Sequence, residues 1–209
     1  VVEHFAAGAS TLQPGDYIIG KVDSLAGSLA SIKIEGITQH KAGLSVDANK
    51  NLVLTIGSVR GASDIVWTGA TSSIWDFANT ANFMLAGDAA QTPDIFVTGD
   101  IVTFGDQAAN TAVNISEDLS PDTLIVHSSK AYTFSGNGAI VAGSLVKQGS
   151  GTLTLSGDHS YTGGNYLKGG VVKVSALSNE NKATGNLGGV TSQASKFTME
   201  GGATLQTTA

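Results

Sequence analysis

The chain has no cysteine, which excludes disulfides and thiolate metal sites. It is also short of charge: only 13% of its residues are Asp, Glu, Lys or Arg, against a usual share of about 25%. The basic residues are scattered and the net charge is −6. A nucleic-acid site needs a dense positive patch against phosphates, so that class is set aside, and an anionic membrane surface is disfavoured for the same reason. No run of roughly 18 apolar residues occurs, so no membrane-spanning helix is expected and this segment should not insert. Phosphate-binding Gly-rich motifs, a Gly-x-Ser-x-Gly nucleophile elbow and the glycine-rich calcium nonapeptide are missing too.

What is present is 41% hydrophobic residues and 27 glycines in 209 residues, with Ser and Thr supplying the polar surface. Thr favours strands and Gly favours turns, so the composition predicts many short strands. The chain opens at Val1 without Met or a signal peptide and closes at Ala209 within a polar run. This reads as a fragment of a longer protein whose signal peptide lies outside it.

An internal repeat organises the second half. Tyr132-Thr133-Phe134-Ser135-Gly136-Asn137 matches Leu153-Thr154-Leu155-Ser156-Gly157-Asp158. Gly143 to Gly149 matches Gly164 to Gly170 at the same offset. A period of roughly 21 residues signals a solenoid. Val113, Tyr132, Leu153 and Val172 follow one another at close to this period, and Phe197 comes after a longer interval. Each opens an alternating run: Val113 with Ile115, Leu153 with Leu155, Val172 with Val174, Phe197 with Met199. That is the period-2 pattern of a strand with one buried face. Apolar runs at 124–126, 139–141 and 145–146 would supply the other sides of each coil, and Gly-containing corners separate them. One coil cannot bury its inward residues alone, so stacking is required.

The segment 1–62 reads differently. Strands are expected at 16–20 and 31–34, and 43–46, a turn over 47–51, and 52–56 read as an antiparallel hairpin. A soft boundary falls near Arg60-Gly61. Residues 72–85 carry two readings, a short helix capped by Ser72 or Ser73 and a loop favoured by Asn79, Thr80 and Asn82. The fold expected is all-β: an end of a preceding unit with an antiparallel hairpin over 1–62, and a right-handed parallel β-helix over 63–209.

The run from Gly149 to Gly164, Gly-Ser-Gly-Thr-Leu-Thr-Leu-Ser-Gly-Asp-His-Ser-Tyr-Thr-Gly-Gly, resembles the autotransporter-associated β-strand repeat, also called the passenger-associated transport repeat. His159 stands where that family usually has Asn, Asn165-Tyr166 where it has a Thr pair, and Val172 near its usual Leu. Ile65 to Gly69 and Ile74 to Phe77 resemble the Trp-containing opening of such units, and Gly99 to Asp106 the strand that follows. The resemblance implies a passenger segment of a secreted or outer-membrane-anchored bacterial protein. Such repeats form β-helical stalks that aid export and display, with an extracellular or cell-surface location. It implies no catalytic residue.

The chemistry-bearing residues are few. Asp94, Asp100 and Asp106 recur at even spacing; read as function they suggest a calcium site or a polysaccharide-cleaving carboxylate cluster, and read as structure they are turn residues. His4, His40, His127 and His159 stand apart, none at metal spacing from another. Trp67 and Trp75 are the best candidates for ligand contact, since exposed aromatics stack on sugars and partner surfaces; the competing reading is that they seal the start of the coil stack. Outward Thr, Ser and Asn strips would suit a glycan, a host surface or another copy of the chain. The sequence thus predicts no metal, cofactor or catalytic group. It favours a structural or adhesive scaffold over a polysaccharide-active β-helix or a carbohydrate-binding module centred on the two Trp residues.

Overall fold

The computed structural model describes residues 13–24, 28–29, 41–175, 177, 184–188 and 197–207. The chain divides into two compact units, Val1–Val59 and Arg60–Ala209. Among the described residues every named element is a β-strand. The strand expected at 31–34, with His4 and His40, lies outside the described residues.

In the first unit, β1 (Gly15–Lys21), β2 (Lys41–Val46) and β3 (Asn51–Gly57) form an antiparallel sheet in the order β1-β3-β2. The β2–β3 hairpin is built by Asp47. Its carboxylate accepts from the backbone N–H groups of Asn49 and Asn51, both at 2.8 Å, and from Asn51 Nδ2 at 2.8 Å. Lys50 takes the left-handed conformation the turn needs, φ 60°. Asp47 thus bonds its own chain just ahead of itself, as turn-forming Asp does.

The described strands of the second unit form two sheets. A seven-stranded sheet contains β4 (Asp64–Trp67), β6 (Phe83–Leu85), β7 (Ile101–Phe104), β9 (Thr123–His127), β11 (Ser144–Gln148), β13 (Gly164–Leu167) and β15 (Phe197–Met199). A six-stranded sheet contains β5 (Ile74–Trp75), β8 (Ala112–Ile115), β10 (Tyr132–Gly136), β12 (Thr152–Leu155), β14 (Val171–Val174) and β16 (Thr204–Thr207). From β7 onward the backbone visits the sheets by turns, and each strand pairs in parallel with the next strand of its own sheet. The seven-stranded sheet is mixed, because β6 runs antiparallel to β4 at its edge. Residues 72–85 form no helix: Ile74 and Trp75 pair with β8, and the following loop carries the chain to β6.

Period-2 alternation sets what faces inward. Ile65, Val102, Leu124 and Leu145 line one sheet's inner face, Val113, Phe134, Leu155 and Val174 the other's, all at 1% exposure or less. Between the sheets lies one continuous core that runs from Ile65 and Trp67 to Val174. Corner glycines let one turn of chain lie directly on the next. A Cβ on Gly143 (φ +84°) would fall 2.4 Å from the Pro121 carbonyl oxygen, and one on Gly151 only 2.1 Å from that of Lys130. No side chain fits at such distances.

Two expectations about register are corrected. The column expected to join Val113, Tyr132, Leu153, Val172 and Phe197 is in fact two columns. Val113 pairs with Phe134, Phe134 with Leu155 and Leu155 with Val174, whereas Tyr132, Leu153, Val172 and Leu205 form the second. Phe197 belongs to the other sheet, opposite Asn165. It and Met199 are each 44% exposed, as members of a terminal strand. A longer connection between β14 and β15 is the reason: it moves Val172's partner out to Leu205, so counting on by one period lands short of the strand. The second match, Gly143–Gly149 with Gly164–Gly170, is off by one. The ladder sets Leu145 opposite Asn165, Val146 opposite Tyr166 and Lys147 opposite Leu167, each partner one position earlier than the sequence match puts it. A one-residue slip exchanges the faces of a strand. At the expected offset Lys168 would stack on inward Lys147, two ammonium groups roughly 4.8 Å apart by strand spacing; at the observed one Leu167 takes that place.

Candidate functional site

The carboxylates come first. Asp94 and Asp100 meet, and the group that joins them is Arg60. Its Nε donates to Asp94 at 2.8 Å, and its two terminal nitrogens donate to Asp100 at 2.6 and 2.8 Å. Asp100 is fully buried and also accepts from the backbone N–H groups of Ser63 and Val97, each at 2.8 Å. With four donors on two oxygens, this carboxylate is a structural anchor for the chain entering β4. Arg60 is the chain's single arginine.

Asp106 does not join them. It accepts instead from Ser128 Oγ, from the Ser129 backbone at 2.8 Å and from Ser129 Oγ at 3.2 Å. These bonds, the Ser128 hydroxyl first, hold its pKa down at about 2. Among the described residues no group of three His, Cys, Asp or Glu side chains is arranged to hold a metal ion.

Trp67 and Trp75 both lie at 0% exposure. Trp67 stacks on Phe104 at 5.5 Å and meets Phe83 edge-on at 5.1 Å, and its Nε1 donates to the Asn110 carbonyl at 2.7 Å. Trp75 packs edge-on against Phe96 at 5.4 Å and lies 5.3 Å from Phe104. The two indoles are thus the centre of an aromatic cluster at the start of the stack, and neither offers a ring face to solvent.

Asn82 closes the same end. Fully buried, it accepts at Oδ1 from the backbone of Thr71 and Ser72 and donates from Nδ2 to Ser72 Oγ and the Ile74 carbonyl. All four of its hydrogen-bonding positions are used.

Further along stand two buried basic groups. Lys147 is 1% exposed, with an ammonium that donates to the carbonyls of Gln148 (2.8 Å), Gly149 (3.1 Å) and Gly169 (3.2 Å). Burial lowers its pKa. His159 is fully buried and stacks on Tyr161 at 5.5 Å; its Nδ1 accepts from the Ile140 N–H at 3.1 Å. Burial pushes its pKa below the usual range, against a smaller upward pull from the Ser156 backbone and Asp158. Its backbone pairs with Gly185. Tyr161 Oη donates to the Asn186 carbonyl and Asn186 Nδ2 to that of Gly157, both at 2.7 Å, so the 157–161 corner is pinned to the 185–186 turn. His127 is exposed at the end of β9.

Residues 145–174, from β11 to β14, match the passenger-associated-transport-repeat family. This bears out the resemblance drawn on residues 149–164, which lie within the matched segment. His159, within the matched segment, fills a closed corner. No curated protein and no solved structure matches the chain.

Proposed function

We propose that the chain is a non-catalytic passenger segment, a right-handed parallel β-helix that forms a rigid stalk at the bacterial cell surface. The observation that carries this reading is the pair of unbroken inward columns, Val113–Phe134–Leu155–Val174 and Tyr132–Leu153–Val172–Leu205, which run through the matched repeat. Each coil buries its inner face only when the next is laid on it, so folding energy is released coil by coil. A chain that emerges through a membrane and folds in this way on the far side is drawn outward. Display and adhesion then fall to the outer faces and corners. The chemistry of the carboxylates supports a scaffold: Asp100's oxygens are taken up by Arg60 and two backbone donors, which leaves no free base or proton donor there.

The test is made in the full-length protein in the cell that exports it. Leu153→Asp places a charge in the core, whereas Thr154→Asp places it on the outer face one residue away. The fraction of the protein open to added protease on intact cells should fall severalfold for Leu153→Asp and stay at the wild-type level for Thr154→Asp. Equal display of the two would overturn the export role.

A further inference from the structure

Residues 184–188, in the connection from β14 to β15, close on the 157–161 corner. The His159 N–H donates to the Gly185 carbonyl at 2.8 Å, and the Gly185 N–H donates back to the His159 carbonyl at 2.9 Å. Side chains complete the clasp. Beside the Tyr161 and Asn186 bonds, Ser175 Oγ donates to Asn186 Oδ1 at 3.0 Å and Asn165 Nδ2 to the Leu187 carbonyl at 2.8 Å. Gly188 (φ +79°) lies so close to Tyr161 that a Cβ there would fall 2.9 Å from the ring. Closure also has a cost. His159 Nε2 and Asn165 Oδ1 are buried without a hydrogen-bond partner, and both residues are bonded to this segment. A buried polar atom left without a partner has given up its water for nothing.

The imidazole is the member of this clasp whose bonding changes with pH. Because Nδ1 accepts from the Ile140 N–H, the neutral ring carries its proton on Nε2. An imidazolium has N–H on both nitrogens and no acceptor. Protonation therefore sets Nδ1–H against the Ile140 N–H and puts a charge into a closed corner. Little is there to steady that charge. Asp158, beside it in the chain, is exposed. On the coil before, Glu117 and Asp118 are also exposed, and they accept from the Phe77 and Ala139 N–H groups. Residues 184–188 carry no ionisable side chain, and burial raises the Tyr161 phenol well above its usual range. We infer that His159 is an acid-operated latch: neutral, it keeps segment 184–188 closed on the corner; protonated, it releases that segment while the ladders stay intact. The ladders are held by backbone bonds, which do not titrate. Release bares Tyr161 and the side of Leu187 that packs on the core, so the stack gains a new apolar surface only in acid. The inference does not rest on the export reading.

Backbone hydrogen exchange of the full chain at about pH 7.5 and about pH 5.0, each rate divided by the intrinsic rate at that pH, tests it. A solvated imidazole titrates near 6.5, so a corner that is neutral when closed opens up to about thirtyfold more at the lower pH. The Ile140, His159 and Gly185 amides should lose protection by about tenfold to thirtyfold on acidification. The Asp122 and Thr133 amides, bonded to the Asp100 and Thr111 carbonyls, should stay better protected than these at both pH values. His159→Asn keeps an acceptor for the Ile140 N–H and cannot titrate, so its ratio between the two pH values should fall to about one. Tyr161→Phe removes one bond of the clasp; it should raise opening at both pH values and keep the wild-type ratio. Latch amides whose protection does not change with pH overturn the inference. So do latch amides that exchange no faster than those of Asp122 and Thr133, because the segment then leaves only when the whole unit unfolds. A His159→Asn variant that keeps the wild-type ratio overturns it as well; should that variant not fold, a ratio near one in Tyr161→Phe does the same.

Discussion

Phe134→Ala is the sharpest probe of the inward columns. The ring is fully buried and lies between Val113 and Leu155 in its column. Its centroid is 4.7 Å from that of Phe104 and 6.3 Å from those of Trp75 and Tyr132. Truncating a buried Phe costs about 3–5 kcal/mol, and the aromatic pairs add about 0.5–1.5 kcal/mol beyond area. The value belongs at the upper end, because parallel ladders on both sides fix the backbone of β10 and hold the cavity open. About 4–5 kcal/mol is therefore expected, and a domain of this size shifts its Tm by roughly 2–4 °C per kcal/mol, so Tm should fall by about 8–20 °C. Phe197→Ala is the matched control: the same residue type at 44% exposure should cost less than about 1.5 kcal/mol by area. Denaturant unfolding followed by Trp fluorescence reads the correct unit, since both tryptophans of the chain lie in Arg60–Ala209. Unchanged m-values would show that a common transition is being compared. A loss below about 1.5 kcal/mol for Phe134→Ala, or an equal loss at Phe197, would refute the claim that the columns carry the stability.

Arg60→Met leaves the buried Asp100 carboxylate without its forked partner, and unfolding of the second unit should become easier by about 3–5 kcal/mol. Arg60→Lys should recover only part of this in the same assay, because one ammonium cannot reproduce the fork. For His159 the sign follows from its lowered pKa: the unfolded chain takes up the proton first, so stability is full above about pH 6.5 and falls as pH drops below it. His159→Asn removes the titrating group, and the stability difference between wild type and this variant should therefore shift against wild type from pH 7.5 to 5; denaturant curves at each pH that give a constant difference would contradict a buried neutral imidazole.

Strand positions were legible because the alternation that marks them is local. Leu153 with Leu155 and Val172 with Val174 announce a buried face within a single strand, and each is buried. Asp47-Ala48-Asn49-Lys50 announces its turn the same way. Column membership was not legible, because it depends on the length of the corners between strands. Tyr132 and Phe134 both look like partners for Val113, and only the count of residues through the intervening corners selects Phe134. The contacts that join Asp94 and Asp100 were further out of reach, since Arg60 comes from a distant part of the sequence. Lys147 shows how the two levels conflict. By alternation with Leu145 it faces inward, and by its charge it should face out. The ladder resolves this in favour of the column, because turning Lys147 outward would shift β11 by one residue and carry Leu145 out of the core with it. The three carbonyls around its ammonium are what makes an inward lysine tolerable, and the glycines that expose two of those carbonyls belong to corners the stacking already requires.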